Sequence, residues 1–206
     1  MLAALICGVA PLCLTIGVAE GFETESGRSD GRIQRAVFAG GCFWCMQPAF
    51  DRLEGVISTA VGYTGGMVDN PTYEQVCGGR SGHVEAIEIV FDSTRISFRK
   101  LIETFWQNID PTQANGQFAD KCPQYRAVIF YQNDDQRLQA EASKQELEHS
   151  GRFAGRIATA IEPIQPFFKA EEYHQEYYLK NPTNYTFYKI GSGRDSFFEK
   201  LRGKKD

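Results

Sequence analysis

The chain is 206 residues long, 42 % hydrophobic and 23 % charged, with a formal net charge of −4. That length supports one domain with a proper core. A mildly acidic chain without a basic cluster excludes the electrostatic footprint of a nucleic-acid binder or of a protein held on anionic membrane.

Residues 1–19 carry no charged side chain and close on Gly17-Val18-Ala19, a small-x-small cleavage site. They read as a secretory signal peptide, although no Lys or Arg stands in the n-region. Left uncleaved, the same run would be an anchor, near the lower length limit for spanning a bilayer. Residues 20–32, rich in Gly, Ser and acids, read as a flexible leader. The expected organisation is signal 1–19, leader 20–32 and a single domain over 33–206. The mature chain is then exported (periplasmic or secreted), monomeric and off the membrane.

Cleavage removes Cys7 and Cys13 and leaves Cys42, Cys45, Cys77 and Cys122. Four thiols in an exported chain suggest two structural bridges. A Cys-x-x-Cys with two further cysteines also suggests zinc. Cys77 and Cys122 stand apart rather than as a second close pair, which argues against a metal, and none is assigned.

In chain order, residues 33–39 form a short apolar strand that ends at Gly40-Gly41. Glycine takes positive φ freely, so the backbone can turn sharply there. Cys42 then lies at the start of a helix over 43–53, beside free N–H groups and the positive end of the macrodipole. Such a setting lowers a thiol's pKa and frees the nucleophilic thiolate. The plainer alternative is a pair of buried structural cysteines. Pro48 falls in the first turn of that helix or kinks it.

Residues 56–63 read as a strand closed by Gly65-Gly66, and 72–78 as a brief helical turn. Residues 84–91 form the next strand, where Glu85 shares a face with Ile87, Ile89 and Phe91. A carboxylate opening an apolar face is partly desolvated, unless it merely reaches water at the strand's end. The apolar stripe of Phe98, Leu101, Ile102, Phe105, Trp106 and Ile109 marks a helix over 97–109 and places Trp106 in the core. Pro111 ends it, and a polar loop runs to Pro123. A strand over 125–131, a charged helix over 134–150, a strand over 157–164 and an aromatic-rich helix over 171–180 follow. The remainder reads as an irregular tail with a last helix over 195–201. The order β-α-β-β-α-β matches a ferredoxin-like α+β two-layer sandwich, with helices packed on one face of a mixed sheet.

Gly41-Cys42-Phe43-Trp44 after a strand, followed by Gly62-Tyr63-Thr64-Gly65-Gly66, resembles the peptide methionine sulfoxide reductases of the A type. Asn70-Pro71-Thr72-Tyr73 with Val76-Cys77, then Gly82-His83-Val84-Glu85, look like further blocks of that family. So do Asp120 with Gln124-Tyr125-Arg126, and Glu172-Tyr173-His174-Gln175, all in the family's order. The resemblance spans residues 37–182. It implies reduction of methionine S-sulfoxide, free or in proteins, with no cofactor and a thioredoxin-like reductant. Cys42 would be the nucleophile and Glu85 the acid that protonates the departing oxygen. Tyr73 and Tyr125 would donate hydrogen bonds to that oxygen. Asp120 would support one of these groups or the substrate. Phe43 and Trp44 would wall the pocket for the S-methyl group. His83 and His174 read as structural, with His174 at the site's edge.

Chemistry of this kind leaves a sulfenic acid that a second thiol must capture. Many family members carry glycine where Cys45 stands and place resolving cysteines in the tail, but residues 181–206 here contain none. Cys45 is the first candidate and Cys122 the second, with Cys77 or an outside thiol behind them. Two other classes remain open on the residues alone: a dithiol oxidoreductase using Cys42-Phe43-Trp44-Cys45, and a zinc-binding module.

Overall fold

The central strands are apolar on both sides, because both faces of the sheet are covered. The computed structural model describes residues 31–203. The expected signal (1–19) and nearly all of the leader fall outside the described residues. Six strands, β1 (Ile33–Gly40), β2 (Val56–Thr64), β3 (Val84–Asp92), β4 (Ala127–Tyr131), β5 (Ala160–Pro163) and β6 (Phe168–Lys169), pair in the order β5-β4-β1-β3-β2-β6. The inner four, β4-β1-β3-β2, are antiparallel and give the ferredoxin-like order. β5 adds parallel to β4 and β6 antiparallel to β2, which makes the sheet mixed.

One face carries Ala36, Phe38, Ile87, Ile89, Phe91 and Ile129, and three helices close over it. They are α1 (Phe43–Asp51), α3 (Phe98–Trp106) and α4 (Asp134–His149). Phe38 lies at the centre, with ring centroids 5.6 Å from Phe50, 5.9 Å from Phe98 and 5.2 Å from Phe105. Trp106 is buried as the stripe predicts, and its Nε1 donates to Ser143 Oγ at 2.8 Å. Val37, Ala39, Ala86, Val128 and Phe130 point to the other face, which Ile164 and Phe167 cover. That second layer is irregular chain, so the helices do pack on one face.

Several boundaries differ from the sequence reading. The helix expected over 43–53 ends at Asp51, and Pro48 lies past its first turn. The helix expected over 97–109 stops at Trp106. Tyr125 belongs to a 3₁₀ turn, Pro123–Tyr125, that precedes β4 rather than to the strand itself. The strand over 157–164 shortens to β5, and the short helix α2 (Tyr73–Cys77) is held by a capping box between Thr72 and Gln75.

The single helix expected over 171–180 is broken into a 3₁₀ turn, Glu172–His174, and the short α5 (Tyr177–Lys180). The cause is Gln175, which is pulled into the sheet edge beyond β6. Its Oε1 accepts from Val61 N–H, and its Nε2 donates to the carbonyls of Val61 and Ala170, each at 2.9 Å. Gln175 is therefore extended and Glu176 left-handed at φ 51, with the Glu176 N–H donating to Gln47 Oε1 at 2.8 Å. The tail is not irregular either. It forms α6 (Pro182–Gly191), opened by proline in its first turn, and α7 (Arg194–Arg202). No helix among the described residues is long and apolar enough to cross a membrane.

Because Phe38 joins β1 to α1 and α3, Phe38→Ala is expected to lower the unfolding free energy by about 3–5 kcal/mol. Urea unfolding followed by circular dichroism measures it, and a loss under about 1 kcal/mol would place the centre of the core elsewhere.

Candidate active site

The turn after β1 is made of two glycines for two different reasons. Gly41 has φ +84, which only glycine adopts without strain. A Cβ on Gly40 would come within 2.7 Å of the Met46 side chain. The turn delivers Cys42 as the N-cap of α1, and Cys45 one turn on; both are buried. Their thiols hydrogen-bond each other, and the Cys45 N–H donates to the Cys42 carbonyl at 3.0 Å.

The helix start does not lower the Cys42 thiol as the sequence suggests. Burial pushes it well above the ordinary thiol range, and the hydrogen bond with Cys45 and the charge of Glu85 push the same way. The reason is visible at the helix terminus, where the Phe43 N–H donates to Glu85 Oε2 at 3.0 Å rather than to sulfur. Cys45 is the thiol that is lowered, first by its hydrogen bond from Cys42 and then, against burial, by the charge of Arg194.

Glu85 does not reach water at the strand's end; it is 2 % exposed. Burial pushes its carboxyl up to about 8, the Phe43 N–H pulls it down, and the charges of Asp120 and Cys45 add to the rise. At neutral pH it is therefore mostly a proton donor. Tyr73 and Tyr125 are both half-buried, and burial raises both phenols, with Glu85 and Cys42 acting on each. They keep their protons and can donate. Tyr73 is anchored through its N–H to Glu171 Oε1 at 2.9 Å, while Glu171 Oε2 accepts from the Tyr63 hydroxyl at 2.8 Å.

The aromatic residues divide. Phe43 is buried against Tyr63 and His174, at centroid distances of 6.0 Å and 5.1 Å. Trp44 is partly exposed, with Tyr177 stacked on it at 3.8 Å and 9°. Its Nε1 donates to His174 Nδ1 at 3.1 Å. His174 thus borders the site, while His83 is structural, bonded to Gly66 N–H and the Val68 carbonyl. Cys77 and Cys122 are exposed, and all four described cysteines are free thiols. Cys77 hydrogen-bonds Tyr73. Of the resolving candidates, only Cys45 touches Cys42.

Tyr188 is the functional neighbour that sequence reasoning missed. It comes from α6, its hydroxyl donates to Asp120 Oδ2 at 2.5 Å, and it lies within hydrogen-bond reach of the Cys42 sulfur. Asp120 is thereby tied to the tail. Tyr177, Glu171 and Arg194 were likewise missed. The available signal was Asn181-Pro182 as a helix start, with Tyr185 and Tyr188 one turn apart on the helix that follows.

The family model of peptide methionine sulfoxide reductases matches residues 34–206. Peptide methionine sulfoxide reductase MsrA of Bacillus licheniformis is 52 % identical over 170 residues, covering 82 % of this chain and 94 % of its own. Reduced Mxr1 from Saccharomyces cerevisiae superimposes with a TM-score of 0.70 at 31 % identity, over 75 % of this chain and 88 % of that one. Methionine sulfoxide reductase A of Corynebacterium diphtheriae does so with a TM-score of 0.67 at 33 % identity, over 75 % of this chain and 78 % of that one. A buried cysteine at a helix start, a buried acid bonded to the next amide and two protonated phenols stand on a chain 52 % identical to the Bacillus licheniformis enzyme. The chain belongs to the peptide methionine sulfoxide reductase family, as an A-type enzyme that reduces methionine S-sulfoxide with thiols.

Proposed function

We propose that Cys42 is the nucleophile, that Glu85 is the acid, and that Cys45 resolves the intermediate. The observation that carries this reading is the buried Glu85 carboxyl, raised to about 8 and bonded to the amide next to Cys42. Glu85 gives its proton to the sulfoxide oxygen as the Cys42 sulfur attacks the sulfoxide sulfur. The thiol proton returns to Glu85. Oxygen passes to Cys42, so the products are the sulfide and a Cys42 sulfenic acid. Tyr73 and Tyr125 hold the oxygen by donated hydrogen bonds, where negative charge develops. Asp120 orients the site through Tyr188, and Phe43 and Trp44 supply the apolar wall for the S-methyl group.

Cys45 then displaces the sulfenic oxygen as water and closes a disulfide. Contact between the two thiols supports Cys45 over the exposed Cys122. A dithiol of thioredoxin type returns both sulfurs to the reduced state; yeast Mxr1 is also known in complex with Trx2. No cofactor takes part. The composition of residues 1–19 supports export to the periplasm or beyond, with the mature enzyme acting as a monomer outside the cytoplasm.

One equivalent of a methyl sulfoxide added to the reduced enzyme should give stoichiometric sulfide and loss of two thiols. Cys42→Ser should give no sulfide; sulfide from it at the normal rate overturns the nucleophile. Cys45→Ser should give a single turnover without an intramolecular disulfide, and a disulfide formed regardless would move the role to Cys122.

Glu85→Gln should slow sulfide formation by about 10²–10⁴-fold with little change in substrate binding. Equal losses in both count against the acid. The parent rate should fall as pH rises through about 8. Stability carries the same signature. Native Glu85 holds its proton between the usual 4.5 and about 8, where the unfolded chain has lost it. Its contribution is therefore full below about 4.5 and lost as pH climbs through about 8. Glu85→Gln should flatten that decline in urea unfolding measured across pH.

A further inference from the structure

The last helix reaches back under the active-site turn through one side chain. Arg194 opens α7, and it is 3 % exposed. Its Nη2 donates to the Gly40 carbonyl at 3.2 Å, and its Nη1 donates to the Asn108 carbonyl and lies 3.7 Å from Met46 Sδ. The guanidinium stands over Phe118, 4.6 Å from the ring centroid. A Cβ on Gly41 would meet Nη2 at 3.2 Å, so the fork is packed against the turn itself. Its Nε is buried with no hydrogen-bond partner.

Among the described residues these partners are two carbonyls and a thioether, and none is an anion. A guanidinium is a permanent cation, and burying one without a counter-charge is unfavourable. Its charge acts on two groups that can become anions: the Tyr185 phenol, which burial raises, and the thiol of Cys45, next in sequence to Met46 and in the first turn of α1.

We propose that Arg194 is a positioning residue for the second chemical step, supplying the counter-charge that holds Cys45 as the attacking thiolate. This rests on Cys45 being the resolving thiol. The step balances as follows. The Cys45 thiolate attacks the sulfur of the Cys42 sulfenic acid, an S–S bond forms and the S–O bond breaks. Hydroxide departs and takes up the proton that Cys45 had released, leaving as water. The sulfenic sulfur is reduced and the Cys45 sulfur is oxidised, with no outside reagent.

Other groups act on Cys45 as well. The Cys42 thiol donates to it, Lys189 assists, and Asp120 opposes. Glu85 and the Tyr185 phenol feel the Cys45 charge. Arg194 differs from Lys189 in being walled off from solvent, where charge is screened least.

The test separates the two chemical steps. Reduced parent, Arg194→Gln, Arg194→Lys and Cys45→Ser are each mixed with one equivalent of methionine sulfoxide. Sulfide and remaining thiols are counted in acid-quenched samples over a range of pH. Gln keeps an N–H donor for the Gly40 carbonyl but removes the charge. For Arg194→Gln, sulfide formation should stay within about twofold of the parent, while disulfide closure slows roughly tenfold at neutral pH. Closure should recover in alkaline buffer, and Arg194→Lys should retain most of the parent rate. Disulfide closure at the parent rate and with the parent pH profile in Arg194→Gln overturns the proposal. So does an equal slowing of both steps that alkali does not relieve, which is the mark of a structural role alone.

Should the Gln variant not fold, Cys42→Ser with Arg194 intact decides the matter by ultraviolet thiolate absorbance. A Cys45 thiolate that forms below the ordinary thiol range supports the counter-charge, and one that forms at or above it overturns it. If Cys45→Ser still closes a disulfide, the resolving assignment fails and the role of Arg194 with it. If closure needs Cys45 but ignores Arg194, only the present inference falls.

Discussion

One hydrogen bond sets the geometry on which the rest depends: the Phe43 amide donating to the carboxyl of Glu85. It joins the first residue of α1 to the start of β3 and uses the helix's free N–H on an acid rather than on the thiol. Cys42 and Glu85 are thereby fixed side by side, forty-three residues apart in sequence, each held from water by the other's element. The same bond works against Glu85's retention of its proton, yet burial is the larger influence and the carboxyl stays a donor. A weaker enclosure would leave an ordinary carboxylate and no acid.

Around that pair the fold acts as a frame with adjustable walls. The ferredoxin-like sheet presents β1 and β3 as neighbours, so the ends that bear Cys42 and Glu85 lie together. The phenols arrive from connections, Tyr73 from α2 and Tyr125 from the 3₁₀ turn before β4. The tail supplies what the sheet cannot. Tyr177 and Tyr188 close on Trp44, and Arg194 packs beneath the glycine turn. A tail without cysteine has thus taken over the space around the reactive sulfur with rings and charge.

What was legible in the sequence was whatever depends on local pattern. The strand into Gly40-Gly41, the stripe from Phe98 to Ile109 and the parity that aligns Glu85 with Ile87 and Ile89 all follow from periodicity, and the structure agrees with them. The motif resemblance brought Tyr73, Tyr125 and Asp120 to one place. What stayed hidden depends on distant partners. The break at Gln175 requires the edge of β2, more than a hundred residues upstream, and no local propensity announces it. Tyr188 looked like tail because α6 buries no residue fully, so its apolar stripe is faint. The direction of the Cys42 shift is likewise hidden, because a helix start lowers its cysteine only where its amides face the sulfur, and here Glu85 occupies the amide.

The burial of Cys42 has a bearing on the enzyme's own survival. Peroxide attacks thiolates that solvent can reach, and carries them through sulfenic to sulfinic and sulfonic acids. A buried sulfur kept protonated, with the Tyr188 hydroxyl within hydrogen-bond reach, is a poor target for such oxidants at rest. The reactive sulfur is thus spared until a sulfoxide enters the site and takes the Glu85 proton.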